Sequence, residues 1–258
     1  MTEADSDRVA RLNDFVRRMN AVDRDLSHEV IRPRDAATLI LIDRSSGVPK
    51  VLLGKRHMRH TFMPGKFVFP GGGVDPTDKA MAFASPLDPQ TESRLMQRFH
   101  KASAVRARAL ALAAVRETFE ETGLLLGVGG EAPKIPAGKI PEGTWAEFAR
   151  HKVLPDLRNI HFVGRAITPP GRVRRFDARF FAMEATAVAH RIDGVTGPDA
   201  ELVELVWMPL TEAKQLDLPA VTSIMLEELD GRIVDGFAHG LPVPFYRTVR
   251  GRVVREVL

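Results

Sequence analysis

The sequence predicts an α/β protein in which a mixed β-sheet lies between layers of helices. Short apolar runs typical of strands alternate along the chain with segments of helical periodicity. Hairpin-like pairs of strands predict antiparallel neighbours, and helices between other strands allow parallel ones, so both pairings are expected in one sheet. The chain has 258 residues, of which 44% are hydrophobic, enough to bury a full core. No strong linker divides it, so residues 31–258 are predicted to form one domain.

Residues 1–30 are predicted to form an amino-terminal helical extension. Its apolar residues recur at helical spacing, at Val9, Leu12, Phe15, Val16 and Met19. This stripe is expected to pack on the domain or on a second subunit, so a homodimer is a possible assembly. The stripe is short and the opposite face is mixed in charge, which disfavours a membrane role.

The remaining elements follow from apolar runs, turn residues and capping signals. Strands are predicted at 36–43, 51–55, 160–167, 179–186 and 202–207. Helices are predicted near 91–100, from a Ser103 cap to Thr122, at 144–153, from about 211, and at 218–229. The Gly- and Pro-rich segment 127–143 is predicted to be a loop.

The most informative segment is residues 116–124, which read RETFEETGL. Glu117, Glu120 and Glu121 are spaced i, i+3, i+4, so a helix places them on one face. Gly123 is a typical helix end, so these carboxylates lie at the negative end of the helix dipole and repel one another. A hard divalent cation bound between the carboxylates would account for this unfavourable arrangement.

Two neighbouring features support a metal and phosphate site. Arg116 precedes Glu120 by four residues and is able to orient it through charge-assisted hydrogen bonds. Upstream, residues 69–73 read FPGGG, a turn whose bare backbone allows a phosphate or a metal to approach closely.

These residues resemble the signature of the Nudix hydrolases: Gly, five residues, Glu, seven residues, then Arg-Glu-aliphatic-x-Glu-Glu-x-Gly-aliphatic. The second half is matched by Arg116, Glu117, Thr118, Glu120, Glu121, Gly123 and Leu124, and the glycine half by Gly71 and Gly72. The chain departs from the signature at two points. Extra residues from about Asp75 to Ala104 separate the two halves, and the isolated Glu, counted back from the Arg, falls at Arg108. The resemblance implies a Nudix-type α/β/α sandwich with an amino-terminal helix and an insertion inside the signature.

The resemblance also implies hydrolysis of a diphosphate bond in a nucleoside diphosphate linked to another moiety. Glu117, Glu120 and Glu121, with a backbone carbonyl of Gly71 or Gly72, would hold Mg²⁺ or Mn²⁺. A further carboxylate is expected from the segment before the strand that ends at Trp207. Glu201 is the first candidate, with Asp199 and Glu204 as alternatives, and either Glu117 or Glu201 would accept the proton of the attacking water.

The expected substrate rests on a second resemblance, to the upstream signature of the coenzyme A diphosphatase branch. It is matched by Leu52, Leu53, Arg56, Gly65, Phe69, Pro70, Gly71 and Gly72. The chain departs from it at Gly54, His57 and Thr61. Coenzyme A or acyl-coenzyme A is therefore the first expectation, and ADP-ribose, NADH or a dinucleoside polyphosphate is the alternative. A non-catalytic nucleotide-sensing module is a third possibility.

Arginine side chains are the predicted phosphate ligands. Besides Arg56, the candidates are Arg172, Arg174 and Arg175, which follow the Pro-Pro-Gly turn at 169–171. They would clamp a diphosphate or a 3′-phosphate. The competing interpretation is surface charge combined with a local contact between Arg175 and Asp177.

Composition excludes several other classes. The chain has no cysteine, so it has no disulfide, thiol nucleophile or thiolate zinc site. Its net charge is only +4, and no zinc finger or long basic run indicates that nucleic acid is required. No apolar stretch is long enough to span a membrane. The polar start of the chain does not resemble a secretory signal, so a cytoplasmic protein is expected.

Overall fold

The computed structural model describes residues 3–21, 31–59, 64–130, 141–172 and 174–258. Thirteen strands lie in these ranges: β1 (Arg34–Asp43), β2 (Lys50–Arg56), β3 (Phe67–Val68), β4 (Gly71–Gly73), β5 (Leu124–Leu126), β6 (Val128–Gly129), β7 (Val153–Leu154), β8 (His161–Ile167), β9 (Phe176–Glu184), β10 (Val188–Arg191), β11 (Leu202–Pro209), β12 (Pro244–Val249) and β13 (Arg252–Val257). The α-helices there are α1 (Glu3–Ala21), α2 (Pro89–Met96), α3 (Ala104–Thr122), α4 (Thr144–Arg150), α5 (Leu210–Ala213) and α6 (Ala220–Val234). Short 3-10 helices cover Pro76–Lys79 and Ala185–Ala187.

Nine of these strands form one mixed sheet, in the order β11-β2-β1-β9-β8-β12-β13 with β3 on β2 and β4 on β1. The β1–β9 and β8–β12 pairs are parallel, and the others in this sheet are antiparallel. The mixed sheet that the sequence predicts is therefore confirmed.

The two faces of β1 show why helices cover both sides of the sheet. Leu39 and Leu41 pack in one core cluster with the apolar face of α3, whereas Ile40 and Ile42 pack in a second cluster with α6. Successive side chains of a strand point to opposite faces, so an uninterrupted apolar strand needs a helical layer on each side. The result is an α/β/α sandwich.

The amino-terminal helix packs on its own domain. Leu12 of α1 is buried in the α6 core cluster, and Phe15, Val16 and Met19 pack against that cluster. Arg11 Nε also donates a hydrogen bond of 2.8 Å to Glu227 Oε1 on α6. Of the two predicted roles for the apolar stripe, the structure shows the intramolecular one. The helix ends at Ala21, and residues 22–30 lie outside the described ranges.

The sequence-based elements agree with the structure in type, and several differ in extent. The strand expected from residue 179 begins at Phe176, and the helix expected near 91–100 covers Pro89–Met96. The carboxy-terminal hairpin of β12 and β13 was not predicted, because charged residues interrupt its apolar pattern at an edge of the sheet. Within the predicted loop 127–143, Val128–Gly129 forms β6 and residues 131–140 are outside the described ranges. No described helix is long and apolar enough to cross a bilayer.

The segment that separates the two predicted halves of the signature is anchored to the carboxy-terminal part of the chain. Arg94 on α2 donates hydrogen bonds of 2.6 Å to the carbonyl oxygens of His239, Gly240 and Leu241. Thr91 Oγ1 lies 2.9 Å from His239 Nδ1. Three carbonyl groups bound by one guanidinium fix α2 against residues 239–241.

Helix α3 carries the acidic cluster and is capped at both ends. Ser103 Oγ accepts a hydrogen bond of 3.2 Å from the backbone N–H of Arg106, which confirms the predicted cap. Gly123 ends the helix in the left-handed region, at φ 75°. Because α3 crosses β1 and approaches β4, its last turns lie beside the glycine turn at 71–73.

The partly buried His161 makes the stability of the fold depend on acid pH. His161 stacks between the rings of Phe237 and His239, with centroids 4.1 and 3.9 Å away. Burial, together with the charges of the neighbouring His239 and Arg232, lowers the pKa of His161 from 6.5 to about 3. The unfolded chain therefore binds one more proton than the folded chain between these two values.

We expect the free energy of unfolding to fall as pH drops from 6.5 towards 3, with a His161 contribution of at most about 1.4 kcal/mol per pH unit. His161→Phe keeps an aromatic ring in the stack but cannot bind the proton. The free energy of unfolding of this variant, measured by urea denaturation, should therefore depend less on pH. The exposed His100→Gln is the matched control and should leave the slope unchanged. An identical slope for wild type and His161→Phe would contradict the assignment.

Candidate active site

The centre of the site is the buried guanidinium of Arg116, which is 7% exposed. Arg116 Nε donates to Asp78 Oδ1 at 2.8 Å, and Nη2 donates to the carbonyl oxygen of Gly73 at 2.8 Å. Nη1 donates to Glu117 Oε1 at 2.9 Å and to Glu120 Oε2 at 2.8 Å. Burial lowers the pKa of Arg116, but the hydrogen bond and charge of Asp78 and the charges of both glutamates raise it above its ordinary value. The side chain is therefore a permanent cation that joins α3 to the glycine turn.

Glu117 lies directly against the glycine turn. A Cβ built on Gly72 would overlap the Glu117 carboxylate, whereas one built on Gly73 would meet no atom within 4 Å. Burial raises the pKa of Glu117 to about 7, opposed by Arg116 and reinforced by Glu120. Only glycine at position 72 leaves room for this carboxylate in its present place.

Glu121 is buried on the other side of the same turn. Its Oε2 accepts a hydrogen bond of 3.2 Å from the backbone N–H of Gly71. Burial raises the pKa of Glu121 to about 8; Glu201 and Glu117 add to the rise, and Arg56 opposes it. Each of these charges is thus close enough to Glu121 to affect its ionisation.

Arg56 and Glu201 meet at the end of β2. Arg56 Nη2 lies 3.0 Å from Glu201 Oε1, and the backbone N–H of His57 donates to the Glu201 carbonyl at 3.1 Å. The Arg56 side chain is 14% exposed and that of Glu201 is 42% exposed. The structure therefore brings the predicted residues Arg56 and Glu201 to the same end of the sheet as Glu121.

Glu120 is the most accessible of the three glutamates in the second half of the signature, with 35% of its side chain exposed. One carboxylate oxygen accepts from Arg116, and the other accepts a short hydrogen bond from the Thr144 hydroxyl at the start of α4. The sequence did not predict the contact of the Thr144 hydroxyl with Glu120, because residues 131–140 and a turn separate Thr144 from the signature.

Comparison with known proteins identifies the family. A crystal structure of a Nudix hydrolase from Alicyclobacillus acidocaldarius matches with a TM-score of 0.56 and 30% identity, over 76% of this chain and 90% of that one. The chain belongs to the Nudix hydrolase family. The uncharacterized Nudix hydrolase NudL of Enterobacter sp. (strain 638) is 41% identical over 76 residues, which are 29% of this chain and 38% of that protein. NudL of Salmonella newport (strain SL254) is 35% identical over 81 residues, 31% of this chain and 42% of that protein.

The chain therefore spans about two fifths of the length of these two curated relatives. No family model matches it.

The position of the isolated acidic residue in the Nudix signature needs correction. Counting back from Arg116 gave Arg108, but counting forward from Gly72 with five residues between leads to Asp78, which is 0% exposed and paired with Arg116. Arg108 instead stacks on the Phe83 ring, 4.9 Å from its centroid. Counting forward from the glycines would have found Asp78. On this count the extra residues begin after Asp78, not at Asp75.

Thr118 occupies an aliphatic position of the Nudix signature without an unsatisfied polar group. Its hydroxyl is buried and donates to the Ala114 carbonyl oxygen at 2.7 Å, one turn earlier on α3. The bond satisfies the only polar atom of the side chain, so threonine is tolerated in the core there.

Two of the departures from the coenzyme A signature have a structural context. A Cβ on Gly54 would overlap the Leu202 side chain of β11, so a larger residue at this position requires that side chain to move. The His57 ring accepts a hydrogen bond of 2.8 Å from the backbone N–H of Arg59. Thr61 and His60 are outside the described ranges.

The three arginines after the Pro-Pro-Gly turn differ in their surroundings. Arg175 Nε donates to the Thr168 carbonyl oxygen at 3.0 Å and Nη1 to that of Ile31 at 2.6 Å, so this side chain holds the turn. The expected contact between Arg175 and Asp177 is absent among the described residues, because Asp177 pairs with Arg165 and Arg179. Arg172 and Arg174 are exposed.

The donor set fits a hard divalent cation in chemistry. Carboxylate and carbonyl oxygens are the ligands that Mg²⁺ and Mn²⁺ prefer, and two buried carboxylates with raised pKa are stabilised by a nearby cation. In the part of the chain that the structure describes, no three acidic or histidine side chains converge on one point. Arg116 and Thr144 hold Glu120, Arg116 holds Glu117, and the Gly71 N–H holds Glu121. Glu121 thus has a different hydrogen-bond partner from Glu117 and Glu120, which share Nη1 of Arg116.

The pair between Asp78 and Arg116 predicts a stability effect. Asp78→Ala leaves a buried guanidinium without its principal carboxylate, and breaking such a pair costs about 3–5 kcal/mol. We expect the free energy of unfolding in urea to fall by about this amount. The exposed pair of Asp193 with Arg191 is the control, and Asp193→Ala should cost less than about 1 kcal/mol. Equal effects of the two substitutions would contradict the central role of Arg116.

Proposed function

We propose that this protein is a metal-dependent Nudix diphosphatase that hydrolyses the diphosphate bond of a nucleoside diphosphate linked to another moiety. The observation that carries the proposal is the placement of Glu117, Glu120 and Glu121 around Arg116 and the bare backbone of Gly71 and Gly72. Family membership supports the reaction class, because each charged residue in the second half of the signature is present.

The proposed ligands of Mg²⁺ or Mn²⁺ are Glu117, Glu120 and Glu121 with a carbonyl oxygen of Gly71 or Gly72. When bound, the metal would neutralise the diphosphate and lower the pKa of a water molecule. Glu117 or Glu201 is the proposed acceptor of the proton from that water. Glu201 has the more accessible carboxylate, and Arg56 at 3.0 Å holds it near Glu121.

Arg56 is the proposed contact to substrate phosphate. Its guanidinium lies at the end of β2 beside the glycine turn, where a diphosphate lying over Gly71 and Gly72 would meet it. Arg172 and Arg174 are exposed and remain proposed phosphate ligands. Arg175 is the weakest of the four proposals, because its guanidinium already binds two backbone carbonyl groups.

Coenzyme A or acyl-coenzyme A is the proposed substrate. Eight positions of the coenzyme A diphosphatase signature support it, and the similarity to the two NudL proteins over 76 and 81 residues is in agreement with it. The departures at Gly54, His57 and Thr61 favour keeping ADP-ribose, NADH and dinucleoside polyphosphates as the alternative. The test is turnover of the purified chain with Mg²⁺ or Mn²⁺ on coenzyme A, acetyl-coenzyme A, ADP-ribose, NADH and diadenosine polyphosphates.

We expect adenosine 3′,5′-bisphosphate and a phosphopantetheine from the coenzymes, identified by mass. Cleavage of another substrate with no cleavage of the coenzymes would retain the reaction class and refute the coenzyme assignment. Binding of these nucleotides without turnover would favour the alternative of a nucleotide-sensing module.

Glu120→Gln tests whether the site is catalytic. The substitution keeps the size of the side chain and removes a charge from the proposed metal site, so we expect turnover to fall by at least about 100-fold, equivalent to about 2.7 kcal/mol. Glu147→Gln on α4, a partly exposed glutamate that pairs with Arg150, is the control and should retain activity. Unchanged turnover in Glu120→Gln would refute the metal site.

The glycine turn offers a steric test with a matched control. Gly72→Ala places a methyl group on the Glu117 carboxylate, whereas Gly73→Ala places it in open space. We expect Gly72→Ala to reduce turnover by at least about tenfold, since it must displace a proposed metal ligand. Gly73→Ala should stay within about twofold of wild type. Equal activities of the two variants would show that the position of Glu117 is not important for turnover.

A further inference from the structure

A second charged region lies on the α6 side of the sheet, the side opposite α3. It is a cavity of about 270 Å³ between α1, α6, the β12–β13 hairpin and the segment that leads into β12. Three arginines line it, Arg8, Arg232 and Arg255. Much of the remaining wall is apolar and includes Val163, Leu241 and Pro242.

Arg232 is the main reason to assign a ligand to this cavity. The residue is 5% exposed, and its guanidinium donates to the carbonyl oxygens of Ala238 and Pro242, each at 3.0 Å. Among the described residues, no carboxylate forms an ion pair with it. Burial and the charge of Arg94 lower the pKa of Arg232 to about 10, although the charges of Glu228 and Asp235 oppose the shift. A buried cation whose partners are neutral carbonyl groups is stabilised by a nearby anion.

The carboxylate inside the cavity does not supply that anion. Glu228 already accepts hydrogen bonds from Arg255 Nε at 2.7 Å, from Arg255 Nη2 at 3.2 Å and from the Tyr246 hydroxyl. Asp235 also lines the cavity, but it is exposed at the end of α6. Glu228 therefore forms its ion pair with Arg255, whereas the guanidinium of Arg232 donates to carbonyl groups and feels the charges of Glu228 and Asp235 only at longer range.

The position of Arg8 shows that the cavity depends on a specific glycine. A Cβ on Gly231, inside α6, would overlap the Arg8 guanidinium. Glycine inside a helix costs about 1 kcal/mol relative to alanine. At this position the missing side chain lets the guanidinium of α1 lie across α6 at the edge of the cavity.

We propose that this cavity binds a small organic oxyanion, with its phosphate or carboxylate group at Arg232 and Arg8 and its carbon part against the apolar wall. Guanidinium groups bind both oxyanions through paired charge-assisted hydrogen bonds. The volume is below the usual range for ligand pockets, about 300–1,000 Å³, so the ligand is smaller than a nucleotide. The cavity is thus a site separate from the Nudix signature, and its occupancy would couple α1 to α6.

The test is calorimetric titration of the full chain with inorganic phosphate and with phenylphosphonate, in EDTA at constant ionic strength. EDTA removes divalent metal that would hold phosphate at the Nudix site, and the Arg56→Gln variant reports any binding that remains there. Wild type should bind both probes, and phenylphosphonate should bind more tightly because its ring contacts the apolar wall.

Arg8→Gln should weaken phosphate binding by about tenfold, the effect of losing one charged hydrogen bond. Arg17→Gln on the same helix removes an equal charge from an exposed pair and should have no effect. Gly231→Ala should also weaken binding, because its methyl group displaces the flexible end of Arg8, while thermal stability without phosphate is retained. This variant separates loss of the site from loss of the fold.

Three results would overturn the proposal. The first is that wild type does not bind phosphate, and the second is that Arg8→Gln and Arg17→Gln bind it equally. The third is that only Arg56→Gln loses binding, which would locate the anion at the glycine turn. None of them bears on turnover, so this site and the proposed diphosphatase activity are tested separately.

Discussion

The Arg116 guanidinium is the interaction on which the rest of the site depends. It joins Asp78, Gly73, Glu117 and Glu120, which come from two segments far apart in the sequence. The planar fork of arginine carries five N–H donors, and a lysine would not reach these partners in one geometry. The negative end of α3 and its crowded carboxylates are unfavourable alone. One buried cation offsets part of that repulsion and holds Glu117, beside the glycine turn, and Glu120 through the same Nη1 atom.

The sheet register supplies the second constraint. Gly72 pairs with Ala37 of β1, and α3 packs across β1, so the glycine turn and the last turns of α3 meet at one place. The same register explains the glycines: Gly71 presents its N–H to Glu121, and Gly72 leaves space for Glu117. On the opposite side of the sheet, α1 and α6 enclose a second charged cavity. The sandwich therefore places two sites of opposite charge on separate faces.

Sequence patterns predicted the elements whose signals are local. The strand β1, the Ser103 cap and the Gly123 end of α3 follow from apolar runs and capping residues, and the structure agrees. Asp78 was missed because the spacing was counted back from Arg116 across the intervening segment rather than forward from the glycines. The hydrogen bond of Arg175 with the Ile31 carbonyl and the contact of Thr144 with Glu120 join chain segments that only folding brings together. Neither has a local sequence signal.

Glu117, Glu120 and Glu121 are the proposed site for a divalent metal. The most direct test is a titration of Mn²⁺ followed by electron paramagnetic resonance, comparing wild type with the double variant Glu117→Gln, Glu120→Gln. Wild type should bind Mn²⁺ saturably, and the double variant should lose this binding while its circular dichroism is unchanged. Mn²⁺ binding of equal affinity in both proteins would show that these glutamates do not form the metal site.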